Sequence, residues 1–267
     1  MDTTTSTTLE RVTSADGTSI AYERSGQGPA IVLLPGGSVD RRSNDGLAGV
    51  LASTNTVYNV DRRGRGDSGD TLPYAIEREI EDIEAVIDAT GGPAVLYGSS
   101  SGAALALLAA AALGDKVARL VLWEPPYIVD PAARPPVDHV AAYEAFLAKG
   151  QRGEAAEYFM TKVVGLPQEF ADFAKTQPFW QDQIKIAHTL PYDGRIMGDY
   201  APPTDVAATV RTPTIILTGS KSFPFFLATA EALADALPDG RTEVLPDQEH
   251  NVDPTVLGPA IQRFLAA

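Results

Sequence analysis

Short, unbroken apolar runs alternate along this chain with longer stretches in which apolar residues return every three or four positions. The first pattern marks buried strands and the second amphipathic helices. Runs at 30–34, 56–60, 94–97, 117–123, 213–219 and 242–245 predict strands, and the stretches at 76–89, 223–237 and 254–265 predict helices. The Ala/Leu-rich run from Ala103 to Leu108 predicts a helix packed closely on a sheet, and Ala15-Asp16-Gly17 predicts a tight turn joining strands at 9–13 and 18–24. This alternation predicts an α/β fold with a mostly parallel, eight-stranded sheet flanked by helices.

From Pro125 to about Thr209 the strand alternation lapses, and helical pieces at 140–149, 155–163 and 170–175 take its place. An insertion of this length after the sixth strand is expected to form a helical cap over the crevice at the carboxyl ends of the strands. The expected organisation is a disordered tail at 1–8, a core built from 9–124 and 210–267, and a cap at 125–209. Phe159, Phe179, Trp180 and Tyr192 of the cap are the candidates for an apolar substrate pocket.

Composition narrows the function classes. The 35 acidic against 21 basic residues give a net charge of −14, which argues against nucleic acid or an anionic membrane as partner. A soluble protein acting on a small molecule is expected, with oligomeric state left open. The absence of cysteine excludes disulfides, thiolate metal sites and a cysteine nucleophile. The start of the chain has neither the basic opening nor the apolar core of a signal peptide, so a cytoplasmic location is expected. Nothing in the pattern calls for a cofactor or a metal.

The chemistry is concentrated at turns that follow strands. Gly98-Ser99-Ser100-Ser101-Gly102 is a G-x-S-x-G between a strand and a helix. A nucleophile on such a sharp turn needs neighbours without side chains on both sides, and the turn places the Ser101 N–H at a helix N-terminus, where it can hold an oxyanion. Pro35-Gly36-Gly37 ends a central strand, and the Gly37 N–H is a candidate second donor, although an ordinary β-to-α turn would look the same. Glu124 stands at the tip of the sixth strand, where it is either a crevice carboxylate or a plain surface residue. Of three histidines, His250 lies on the loop after the last strand and is the candidate general base. His139 and His188 have no partner at metal-ligand spacing and are expected to be non-catalytic. The arginine-rich loop 61–69 lacks the lysine and glycine pattern of a phosphate cradle and is expected to be structural, with Asp61 and Asp67 pairing its arginines.

Taken in order, Pro35-Gly36-Gly37, the Ser100 pentapeptide, the cap and His250 resemble the α/β-hydrolase superfamily over essentially the whole chain from residue 9. That resemblance implies Ser100 as nucleophile, His250 as base, and the N–H groups of Gly37 and Ser101 as oxyanion hole. Most members place the triad acid shortly after the glycine ending the penultimate strand, yet Gly219-Ser220-Lys221-Ser222 offers no carboxylate. A subset similar to the zearalenone-type lactone hydrolases places a glutamate after the sixth strand instead, which implies Glu124 as the acid. The implied activity is hydrolysis of a carboxylic ester or lactone without a cofactor. Carbon–carbon bond hydrolysis on the same scaffold, or ligand binding by a non-catalytic receptor, are the alternatives.

Overall fold

The computed structural model describes residues 7–267. Most of the expected tail lies outside them, and Thr8, its last residue, already opens the first strand. Eight strands form one sheet: β1 (Thr8–Thr13), β2 (Ser19–Gly26), β3 (Ala30–Leu34), β4 (Thr56–Val60), β5 (Ala94–Ser99), β6 (Val117–Trp123), β7 (Thr214–Gly219) and β8 (Gly240–Leu245). Their spatial order is β1-β2-β4-β3-β5-β6-β7-β8. β1 and β2 are antiparallel, β2 runs antiparallel to β4, and every later pairing is parallel. The chain steps outward from β3 to β4 and then returns across β3 to β5. The order therefore reverses between β3 and β5, the place where open parallel sheets leave a crevice at their carboxyl ends.

The helices are α1 (Asp45–Leu51), α2 (Ile76–Ala89), α3 (Ser101–Leu113), α4 (His139–Leu147), α5 (Arg152–Tyr158), α6 (Gln168–Lys175), α7 (Trp180–Ile186), α8 (Leu190–Met197), α9 (Thr204–Ala207), α10 (Pro224–Ala236) and α11 (Pro254–Ala266). Strand side chains alternate between two apolar layers, as their period of two requires. Val32, Leu96 and Leu122 pack with α2, α3 and α10, while Ile31, Tyr97 and Trp123 pack with α1 and α11. α3 is apolar on all sides and almost wholly buried, so it lies directly against β5 and β6. Among the described residues no helix is long and apolar enough to cross a membrane.

α2 departs from its expected polarity. Ile83 and Ile87 are buried as the spacing predicts, but Glu79 and Asp82, which the same spacing puts on faces other than that of the isoleucines, are buried too. Both are drawn inward by the arginine loop that follows β4. Arg62 donates to Glu79 through Nε and Nη2 at 2.8 Å each, and Arg63 grips Asp82 the same way at 2.7 Å. Asp61 and Asp67, the expected partners of that loop, pair instead with Arg41. Forked guanidinium–carboxylate pairs satisfy buried charges that would otherwise be costly.

The insertion between β6 and β7 carries α4 to α9. Its first part has its own apolar cluster, with Tyr143, Trp180 and Leu190 at the centre. Its last part does not stand apart: Ile196, Met197, Ala207 and Val210 belong to the main core.

Candidate active site

β5 ends and α3 begins at Ser100, whose φ of 54° and ψ of −124° lie in a region that L side chains rarely adopt. The backbone holds it there: the Ser100 N–H donates to Trp123 O at 2.9 Å, and the Ser100 carbonyl accepts from Ala103 and Ala104. The flanking glycines are required by contact. A Cβ on Gly98 would stand 2.2 Å from Gly102 O, and one on Gly102 would stand 2.4 Å from Pro35 O. Strand, turn and helix therefore pack at backbone distance, with Ser100 raised at the apex.

Glu124 follows β6 at a φ of 44° and is fully buried. Its backbone N–H continues the ladder by donating to Leu217 O at 3.1 Å. Its carboxylate turns toward the end of β7 and the loop after β8. Oε2 accepts from His250 Nδ1 at 2.6 Å, and Oε1 accepts from the Gly219 N–H at 2.7 Å. The strand end that lacks a carboxylate thus supplies a backbone donor to the carboxylate of its neighbour. The His250 ring stacks on Phe226, with centroids 4.9 Å apart and planes at 9°. Its carbonyl accepts from Trp123 Nε1 at 3.0 Å. With Nδ1 donating to Glu124, Nε2 is left as a proton acceptor.

Ser100 and His250 line the same cavity, whose volume is about 470 Å³. Among the described residues no hydrogen bond joins them directly. Gly36, Gly37 and Ser99 also reach this cavity, and its apolar wall comes from Leu47, Tyr97, Trp123, Phe159 and Leu257. Among its lining residues none is Asp, Glu, Lys or Arg. The N–H groups of Gly37 and Ser101 donate to no other group of the chain among the described residues.

Of the four aromatic candidates from the insertion, the structure brings only Phe159 to the cavity. Trp180 is 7% exposed and packs in the insertion's own cluster. Tyr192 is 6% exposed, stacks on Tyr74 at 3.8 Å and donates to Asp70. Phe179 is 47% exposed at the start of α7. Helical spacing marks all of them as apolar but does not say which face looks into the cavity. His139 meets Tyr158 OH through Nδ1, His188 meets Lys185 O, and neither lines the cavity.

The sequence reading missed Asp193 of α8. This buried carboxylate accepts from Arg62 Nη1 at 2.8 Å, Arg65 Nη2 at 2.7 Å and Ser101 Oγ at 2.8 Å. Burial alone would push its carboxyl up, and the Arg65 and Arg62 guanidiniums outweigh that and hold it down at about 2. The one sequence signal was the surplus of arginines after β4, which called for more carboxylates than their own loop supplies.

Residues 31–257 match the model of the Alpha/beta hydrolase family. Among solved structures, an alpha/beta hydrolase from Sphaerobacter thermophilus DSM 20745 is 47% identical, covers 96% of this chain and 100% of its own, and superposes with a TM-score of 0.89. The 2-hydroxy-6-oxo-6-phenylhexa-2,4-dienoate hydrolase BphD from Rhodococcus sp. strain RHA1 shares the fold at 18% identity and a TM-score of 0.73, covering 99% of this chain and 100% of its own. Serine hydrolase BPHL of Homo sapiens is 26% identical over 93% of this chain and 82% of that protein. The match to Uncharacterized hydrolase YraK of Bacillus subtilis is shorter, 36% identical over 34% of this chain and 35% of that protein.

Proposed function

The chain belongs to the alpha/beta hydrolase family, and within it we propose a serine hydrolase that cleaves a carboxylic ester or lactone of a small, largely apolar molecule. The observation that carries this reading is the contact between fully buried Glu124 and His250 Nδ1, 2.6 Å long, beside a cavity that His250 shares with Ser100. In this reading Ser100 Oγ attacks the substrate carbonyl carbon while His250 Nε2 takes its proton. Glu124 keeps the imidazole in the required tautomer and stabilises its charged form. The N–H groups of Gly37 and Ser101 hold the oxyanion. As the carbon–oxygen bond breaks, His250 returns the proton to the departing alkoxide, which in a lactone stays tethered to the acyl group. Water then attacks the acyl-enzyme, His250 takes its proton, and the carboxylic acid leaves with Ser100 restored.

An uncharged substrate fits the lining better than an anionic one. The dienoate in BphD's name is a carboxylate, and this cavity offers no lysine or arginine to pair with such a group. That favours ester or lactone cleavage over carbon–carbon bond hydrolysis.

Intact mass after exposure to a fluorophosphonate tests the reading. A single adduct is expected on the wild-type protein and none on Ser100→Ala. An adduct that persists on Ser100→Ala would move the nucleophile to another serine such as Ser99. No adduct on either protein would reject the hydrolase reading in favour of a receptor.

A further inference from the structure

The arginine loop after β4 reaches the site itself. Arg65 is almost fully buried, and its Nη1 donates to Gly36 O at 2.6 Å and to Val39 O at 3.2 Å. Its Nη2 donates to Asp193 at 2.7 Å, and Nε to Thr189 Oγ1 at 3.1 Å. The carbonyl of Gly36 and the N–H of Gly37 belong to one peptide unit. That unit is planar and trans, so its C=O and N–H point in opposite directions. A guanidinium that fixes the carbonyl therefore fixes the direction of the N–H, and by polarising the amide it strengthens that donor. Asp193 holds the other end of the guanidinium and also accepts from Ser101 Oγ at 2.8 Å, so the residues bearing both candidate oxyanion donors are tied to one carboxylate. A second, separate tie fastens the same loop. Ser38 Oγ donates to Gln183 Oε1 at 2.5 Å, and Gln183 Nε2 donates back to Ser38 O at 2.9 Å.

We propose that Arg65, held by Asp193 of the insertion, is a positioning residue for the oxyanion hole: it aims the Gly37 N–H through the Gly36 carbonyl. The proposal rests on the serine-hydrolase reading above. Arg65 touches neither substrate nor reacting atoms, and only its fork spans the carbonyl and the carboxylate together. A lysine at this position keeps the charge but has no planar fork.

The test compares a p-nitrophenyl ester with its thionoester counterpart, whose sulfur accepts hydrogen bonds weakly and so draws little from an oxyanion hole. For Arg65→Lys, kcat on the oxygen ester should fall on the order of 10- to 100-fold, somewhat less than loss of a whole donor, while KM stays within about 3-fold. On the thionoester kcat should change by less than about 3-fold, because the donor being misaimed matters little there. Ser101→Ala removes the hydroxyl tie to Asp193, and with it a 3.5 Å contact from Arg62 Nη1, and leaves both arginines paired with Asp193. It should show the same bias toward the oxygen ester, with kcat falling about 3- to 10-fold. Equal losses on the two esters, or an oxygen-ester kcat within about 2-fold of wild type in both variants, would overturn the proposal. If Arg65→Lys does not fold, Ser101→Ala decides by the same criterion. Wild-type protein that takes no fluorophosphonate adduct would overturn the serine-hydrolase reading and this proposal with it. An adduct together with equal losses would overturn only the proposal.

Discussion

At Glu124 a single carboxylate is held from three directions. Burial removes it from water, the Gly219 N–H occupies Oε1, and His250 Nδ1 occupies Oε2. Glu124→Gln is nearly isosteric, yet its amide offers the imidazole a donor as readily as an acceptor, so the tautomer is no longer fixed. We expect kcat for ester hydrolysis to fall about 10³- to 10⁴-fold with an unchanged circular dichroism spectrum. Stopped-assay kinetics on a p-nitrophenyl ester would check this, and a rate within about 3-fold of wild type would remove Glu124 from the machinery. Ser100 and His250 are legible in the sequence because each sits in a local signature, a glycine-flanked serine and a histidine past the last strand. Asp193 is not legible. Its partners lie 131, 128 and 92 residues away, and nothing in its own helix turn distinguishes it from a surface aspartate.

The elements show where periodicity informs and where it misleads. The strands and the helices on the sheet stand close to their expected places, because each buries a face whose pattern repeats within a few residues. Within α2 the same rule misassigns Glu79 and Asp82, since a buried arginine makes a buried carboxylate favourable. In the insertion, the expected helix at 155–163 divides into α5 and a π-helical turn, Phe159–Val163, which carries Phe159 to the cavity wall. Such turns widen a helix locally and often sit beside functional sites. Phe159→Ala should therefore shift the preference among acyl-chain lengths while leaving turnover of a p-nitrophenyl acetate within about 3-fold. Trp180→Ala should do the opposite. Truncating this buried ring should cost about 3–5 kcal/mol in urea denaturation and leave the acyl-chain preference unchanged. A changed preference at unchanged stability would return Trp180 to the pocket.

Across the whole molecule, the insertion and the sheet core are joined by buried charge as well as by apolar contact. Arg62 and Arg65 belong to the core loop, Asp193 to the insertion, and Glu79 to α2. The depressed carboxyl of Asp193 sets the pH dependence of that joint. Its folded-state value of about 2 lies below the ordinary 3.8, so its contribution is fully present above about 4 and is lost as pH falls toward 2. The gap in urea midpoint between the wild-type protein and Asp193→Asn should accordingly be large at pH 5 and smaller at pH 3. A gap of the same size at both values would mean that the carboxyl is not depressed.

Apolar periodicity and the glycine-flanked serine already specify, within the chain's own order, an α/β fold, a strand-turn-helix elbow at Ser100 and a histidine beyond the last strand. These depend on backbone geometry and on neighbours a few residues apart. Which acid receives His250, which carboxylates hold the arginines, and which aromatic ring meets the cavity depend on contacts between residues distant in sequence. Such contacts exist only after the sheet has closed: a charge or a ring has the same propensity wherever it falls along a helix, and it is the packing of that helix against others that selects its partner.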